Sequence, residues 1–160
     1  MIARYHVVYQ QLMAEWAHVR AAAEKAQAAY AEGGAYHVDA AALSLHGFYS
    51  GSERLFEAIA RRIDGTVPQS STWHRDLLRQ MLLDVPSVRP PVLQPATATL
   101  LEEYLGFRHV VRNLYSWELE PAKVERLIQL LPQTVAGLEA DLAAFGRFLT
   151  AAGSADEDTN

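Results

Sequence analysis

The sequence predicts an all-α fold, an antiparallel bundle of four to five helices, on three observations. Apolar residues recur at spacings of three and four along most of the chain. Strand signals are nearly absent. Gly and Pro clusters break the periodic stretches and leave short connections, which favour antiparallel neighbours.

Taken in order, the first helix is predicted over residues 2–32. Val8, Leu12, Trp16 and Val19 begin its apolar stripe, Ala21 to Ala31 supply strong helix formers, and Gly33–Gly34 ends it. A second helix runs from about Asp39, read as its N-cap, through Leu45, Phe48, Leu55 and Ile59 to Gly65. Gly51 lies inside it, where a missing side chain lets a neighbouring helix come close. Ser70, Ser71 and Thr72 are placed to cap a short third helix, Trp73 to Asp84. Pro86, Pro90, Pro91 and Pro95 then enforce a loop. The fourth helix spans about Ala96 to Trp117. The fifth starts at Pro121, a favoured first-turn position, and carries Val124, Leu127, Leu131, Leu138, Leu142, Phe145 and Leu149, with a kink expected at Pro132. Residues 1–152 read as one helical domain and 153–160 as an acidic tail.

Composition narrows the function classes. The 160 residues suit one domain and include no cysteine, which excludes disulfides, thiolate metal sites and cysteine nucleophiles. A formal net charge of −5 means that any phosphate contact must come from a local basic patch. His6, His18 and His37 show no metal-ligand pattern, and no glycine-rich phosphate loop is present, so neither metal nor cofactor is expected. No apolar run approaches the about 18 residues of a membrane span, and Arg4, His6, Gln10 and Gln11 interrupt any leader core. The expectation is a soluble, cytoplasmic protein.

The fourth helix stands out. At about 100° per residue, Leu100, Phe107, Val110, Val111, Leu114 and Trp117 fall on one side, read as the core face. Arg108, His109, Arg112, Asn113 and Ser116 fall on the other, with Tyr115 near the boundary. Two arginines one turn apart repel each other, and Glu102 and Glu103 lie too far back to neutralise both. Arginine forks bind phosphate oxygens and histidine titrates near neutrality, so this face reads as a phosphate site or as a solvated basic face. Trp16, Trp73 and Trp117 read as core or dimer anchors.

Residues 104–115, Tyr-Leu-Gly-Phe-Arg-His-Val-Val-Arg-Asn-Leu-Tyr, resemble the signature helix of HEPN proteins, and of HepT-like toxins in particular. Leu45-His46-Gly-Phe-Tyr-Ser-Gly-Ser-Glu53-Arg54-Leu-Phe-Glu and Trp73-His74-Arg-Asp-Leu-Leu are similar to the second and third helices of a HepT-like subgroup. In that pattern Arg108 takes the arginine place, His109 the polar place after it and Tyr115 the tyrosine place. Asn113 stands where the motif histidine belongs.

The resemblance implies a homodimeric HEPN bundle that cuts RNA without a metal, by attack of the adjacent 2′-hydroxyl. It also implies a minimal nucleotidyltransferase antitoxin of the MntA type, which transfers AMP to the tyrosine corresponding to Tyr115. Such a reaction wants a proton acceptor, a proton donor and cations on the phosphorane-like transition state. Asn113 forms hydrogen bonds but exchanges no proton near neutrality. The expected assignment is therefore Arg108 and Arg112 on phosphate, His109 in proton transfer and Asn113 orienting the RNA. His74 and His46 are second choices for the proton work. Glu53 and Arg54 read as ion-pair members or as groups orienting the cleft. A non-catalytic HEPN dimer binding RNA, nucleotide or a nucleotidyltransferase is the alternative, and a helical adaptor with both arginines paired to carboxylates is a third.

Overall fold

The computed structural model describes residues 2–113, 115 and 118–155. They form α1 (Ile2–Glu32), α2 (His37–Ile59), α3 (Trp73–Gln80), α4 (Pro95–Val111) and α5 (Pro121–Ala155), and a π-helical turn at Ala60–Asp64 prolongs α2. The predicted all-α bundle is the fold observed: among the described residues no strand is present, only an isolated bridge between Val85 and Arg89. No helix is long and apolar enough to cross a membrane.

The long helices α1 and α2 pack against each other, α5 lies against α1, and α4 is wedged between α2 and α5. Gly51 permits the first of these contacts. A Cβ there would stand 2.8 Å from Val19 Cγ2, so only glycine allows α1 this close. The core gathers Val8, Leu12, Leu45, Phe48, Leu55, Leu101, Leu138 and Phe145, all essentially inaccessible to solvent. Tyr104 belongs to it as well. Its hydroxyl donates to the Leu127 carbonyl at 2.8 Å and its ring meets Phe48 edge-on, so one side chain ties α4 to both α5 and α2. Burial first of all pushes that phenol up to about 12.

The π-helical turn ends at Gly65, whose left-handed φ of 75° reverses the chain. The proline-rich loop that follows α3 is held by a fully enclosed pair. Arg89 Nε and Nη2 donate to the two Asp64 oxygens at 2.6 and 2.7 Å, and its remaining N–H groups reach the carbonyls of Gln80, Leu83 and Pro90. This clamp fixes the exit of α3 and the entry of α4. Asp141 on α5 then accepts the backbone N–H of Gln94, the residue that caps α4.

The structure departs from the sequence reading at several helix ends, among them that of α3, which closes at Gln80 and not at Asp84. Tyr36, not Asp39, occupies the N-cap of α2, and Asp39 sits in the first turn, where its charge suits the helix dipole. Ser70 and Thr72 do not cap the α3 backbone with their side chains; both hydroxyls donate to Asp76 Oδ2. Helix α4 ends at Val111 rather than Trp117, where the Asn113 amide donates to the His109 carbonyl and closes the last turn. Leu114, Ser116 and Trp117 lie outside the described residues, as do 156–160 of the expected tail. Helix α5 contains Pro132 and continues three residues past the expected boundary at 152.

Candidate active site

The side of α4 that meets the core is Thr97, Ala98, Leu101, Tyr104 and Phe107, because α4 packs against two helices and buries a wide arc. Leu100, Val110 and Val111 are only partly buried. Arg108 follows Tyr104 by one turn, which puts it at the rim of the core and not on the far solvent face. Its side chain is 16% exposed.

Across from Arg108, α2 supplies Glu53 and α3 supplies His74. The Glu53 carboxylate is 7% exposed and serves both neighbours: Oε2 lies 2.6 Å from His74 Nδ1, and Oε1 lies 3.4 Å from Arg108 Nε. Arg108 Nη1 is 3.3 Å from His74 Nδ1 and 3.2 Å from Nε2. Trp73 stacks on His74 with ring centroids 3.5 Å apart. Three helices thus converge on one imidazole, with an indole against its face, a carboxylate at one nitrogen and a guanidinium beside it. A carboxylate that accepts from Nδ1–H leaves the lone pair on Nε2, the arrangement of an oriented base.

Beside this cluster lies a groove of about 600 Å³, lined by His74 and Arg75 of α3, Arg108 and His109 of α4, and Arg112 and Asn113 just beyond it. No Asp or Glu is among its lining residues, so it is a cationic hollow on a chain of net charge −5. Arg75 and Arg112 have no carboxylate partner among the described residues, which leaves two guanidinium forks open to phosphate.

The other sequence candidates divide clearly. His109 is exposed in the groove wall. Asn113 also reaches the wall, although its amide is engaged by the His109 carbonyl. His46 is partly buried on α2 and does not line the groove. Burial, then Arg108 and Arg112, hold its imidazole below the ordinary range. Arg54 faces α1, where its Nε pairs with Glu15 at 2.8 Å, so it stands apart from Glu53, its neighbour in sequence. Tyr115 is 65% exposed and sits in the connection after α4, its backbone N–H donating to Glu118. The Tyr49 phenol is buried against Glu53, and burial first, then that carboxylate, raise it far above its ordinary value. Among the described residues no group of three or more His, Asp or Glu side chains is arranged to hold a metal ion.

The comparison with known families decides the identity: a family model described as HepT-like protein matches residues 40–149, more than half of the chain. The chain belongs to the HepT-like family. No curated protein and no solved structure matches it.

The matched span of this HepT-like protein runs from α2 to α5 and contains every residue of the cluster. Sequence reasoning ranked His109 above His74, because His109 shares a helix face with Arg108. It did not single out Arg75. The signal was the Trp73-His74-Arg75 string itself, which sets an aromatic, a base and a cation side by side at the start of α3.

Proposed function

We propose that this chain is the toxin half of a HEPN/MNT toxin–antitoxin pair, a metal-independent endoribonuclease in which the Glu53–His74 pair takes over the work of the missing motif histidine. The observation that carries this reading is the 2.6 Å contact between Glu53 and His74, with Arg108 against the same imidazole at the edge of a cationic groove. An RNA phosphate in the groove lies between Arg108 and Arg112. Their charge offsets that building on the phosphorane oxygens. Arg108 Nη1, 3.2 Å from His74 Nε2 in the free protein, turns to the phosphate, and the Nε2 lone pair so released takes the proton of the 2′-hydroxyl as O2′ bonds to phosphorus. The P–O5′ bond breaks, and the leaving oxygen takes a proton from His109 or from water. The products are a 2′,3′-cyclic phosphate and a 5′-hydroxyl, and Glu53 stabilises the imidazolium formed on the way.

Two subunits, each contributing this groove, form the working homodimer, with RNA as substrate. Tyr115 is the site at which a minimal nucleotidyltransferase antitoxin of the MntA type transfers AMP. Its exposure suits entry into a second active site, and an added phosphate close to Arg112 competes with RNA for the same cations.

A second reading, a non-catalytic HEPN dimer that binds RNA or a nucleotidyltransferase, is favoured by Asn113, which cannot exchange a proton and spends its amide on the end of α4. The two part on one assay. Wild-type protein incubated with RNA in EDTA is expected to release fragments ending in 2′,3′-cyclic phosphate. Intact RNA under those conditions, from dimeric protein without AMP on Tyr115, supports the binding module instead.

A further inference from the structure

Gly106 sits in the middle of α4, exposed, where glycine weakens a helix relative to alanine. The other helical glycines described have a side-chain atom within 4.0 Å of where a Cβ would stand; at Gly106 nothing lies within 4 Å. Packing does not ask for a glycine here, and its backbone needs no left-handed φ. What sets the residue apart is its place on the surface, because it lines both the cationic groove and a second groove beside it.

The second groove has a volume of about 730 Å³ and shares Arg75, Leu105 and Gly106 with the first. Arg75 and Arg79, one turn apart on α3, form one wall, and Lys123 and Arg126 on α5 form the other. Phe107, Val110 and Leu127 give it an apolar floor. Glu102 and Glu103 also line it, so four cations face two carboxylates. The pairs made there are exposed ones, Arg126 with Glu103 at 3.1 Å and Lys123 with Glu120 at 3.6 Å, and such pairs are weak enough to exchange for phosphate. Cationic walls over an apolar floor are the chemistry that holds an unpaired strand, with phosphates on the walls and bases on the floor.

We infer that single-stranded RNA crosses α4 over Gly106, so that nucleotides flanking the scissile phosphate lie in this second groove on Arg75, Arg79, Lys123 and Arg126. A side chain at position 106 stands as a post between the two grooves; glycine keeps the ridge low enough for the backbone to pass. The inference rests on the ribonuclease reading for its ligand, and binding tests it apart from cleavage.

The probe is a series of 2′-O-methylated single strands of about 4, 8 and 12 nucleotides, which cannot undergo 2′-oxygen attack, with binding read by fluorescence anisotropy. Wild-type protein binds the longest strand at least about tenfold tighter than the shortest. Gly106→Leu retains the affinity for the shortest strand and loses that gain. Arg79→Gln with Lys123→Gln lowers the slope of log affinity against log salt for the long strand by roughly 1.4, as expected for two lost phosphate contacts. Gly106→Ala raises the melting temperature yet loses part of the long-strand gain, which separates the post from any effect on the helix. Equal affinity for short and long strands, or a Gly106→Leu variant that keeps the full gain, overturns the inference. Unmodified RNA left uncut while the gain is present overturns the ribonuclease reading and leaves the strand path standing.

Discussion

His74 and Glu53, twenty-one residues apart in sequence, meet at 2.6 Å where α3 crosses α2, and Glu53 reaches Arg108 with its other oxygen. This shared carboxylate touches both the imidazole and the guanidinium. Glu53→Gln keeps the shape and an acceptor for His74 but removes the negative charge that would stabilise the imidazolium. RNA cleavage is expected to fall about 10²-fold or more, whereas RNA affinity holds or rises because a negative charge has gone. Single-turnover cleavage and equilibrium binding, measured on the same preparations, check this. A variant as fast as wild type removes Glu53 from the mechanism.

The loop between α3 and α4 depends on Arg89, which is 2% exposed. Removing it leaves Asp64 charged and enclosed and strips three carbonyls of their donors. Arg89→Ala is expected to cost about 3–5 kcal/mol in urea unfolding. A loss of under about 1 kcal/mol contradicts a buried clamp, since that is the range of an exposed pair.

His46 makes stability depend on pH. Its imidazole is held below its ordinary 6.5 by burial first and by Arg108 and Arg112 next. The unfolded chain therefore binds this proton more readily than the folded one. The contribution of His46 is complete above 6.5 and shrinks as pH falls through 6.5 toward the lower folded value. Wild-type protein loses more stability between about pH 7.5 and about pH 5 than His46→Gln does, by urea unfolding at each pH. An equal loss in both removes His46 as the cause.

Much of the fold was legible in the sequence because burial imposes a period. Gly33–Gly34 and Pro121 mark real helix boundaries, and Leu12, Leu45, Phe48 and Leu142 are core residues as their spacing requires. The end of α4 was not legible. Leu114 and Trp117 continue the apolar spacing, and the Asn113-to-His109 contact that closes the helix is a side-chain bond that periodicity does not encode. The site was half legible. Arg108, Arg112 and His109 stand together on one helix end, as their spacing predicts, but Arg108 lies at the core rim because α4 is gripped from two sides. Glu53 and Arg54 are adjacent in sequence and face different helices, a separation that only the packing of α1 and α3 against α2 decides.

Tyr115 gives a prediction about regulation. Tyr115→Phe removes the proposed acceptor of AMP and leaves Glu53, His74 and Arg108 in place. The variant is expected to cut RNA within about threefold of wild type, well under the tenfold that 1.4 kcal/mol would represent. It is also expected to resist silencing by a minimal nucleotidyltransferase with ATP. Intact-mass measurement should find AMP on wild type and none on the variant. Silencing of Tyr115→Phe places the modification elsewhere.

The most direct test compares RNA cleavage in EDTA by wild type, His74→Gln, His109→Gln and Arg108→Ala, each first verified as folded and free of AMP. The account predicts that wild type cleaves, that His74→Gln and Arg108→Ala lose about 10²-fold or more, and that His109→Gln loses less, because water can stand in as proton donor. Full activity in His74→Gln with activity lost in His109→Gln would contradict it, returning the proton work to α4 and leaving the Glu53–His74 contact as a strut between helices.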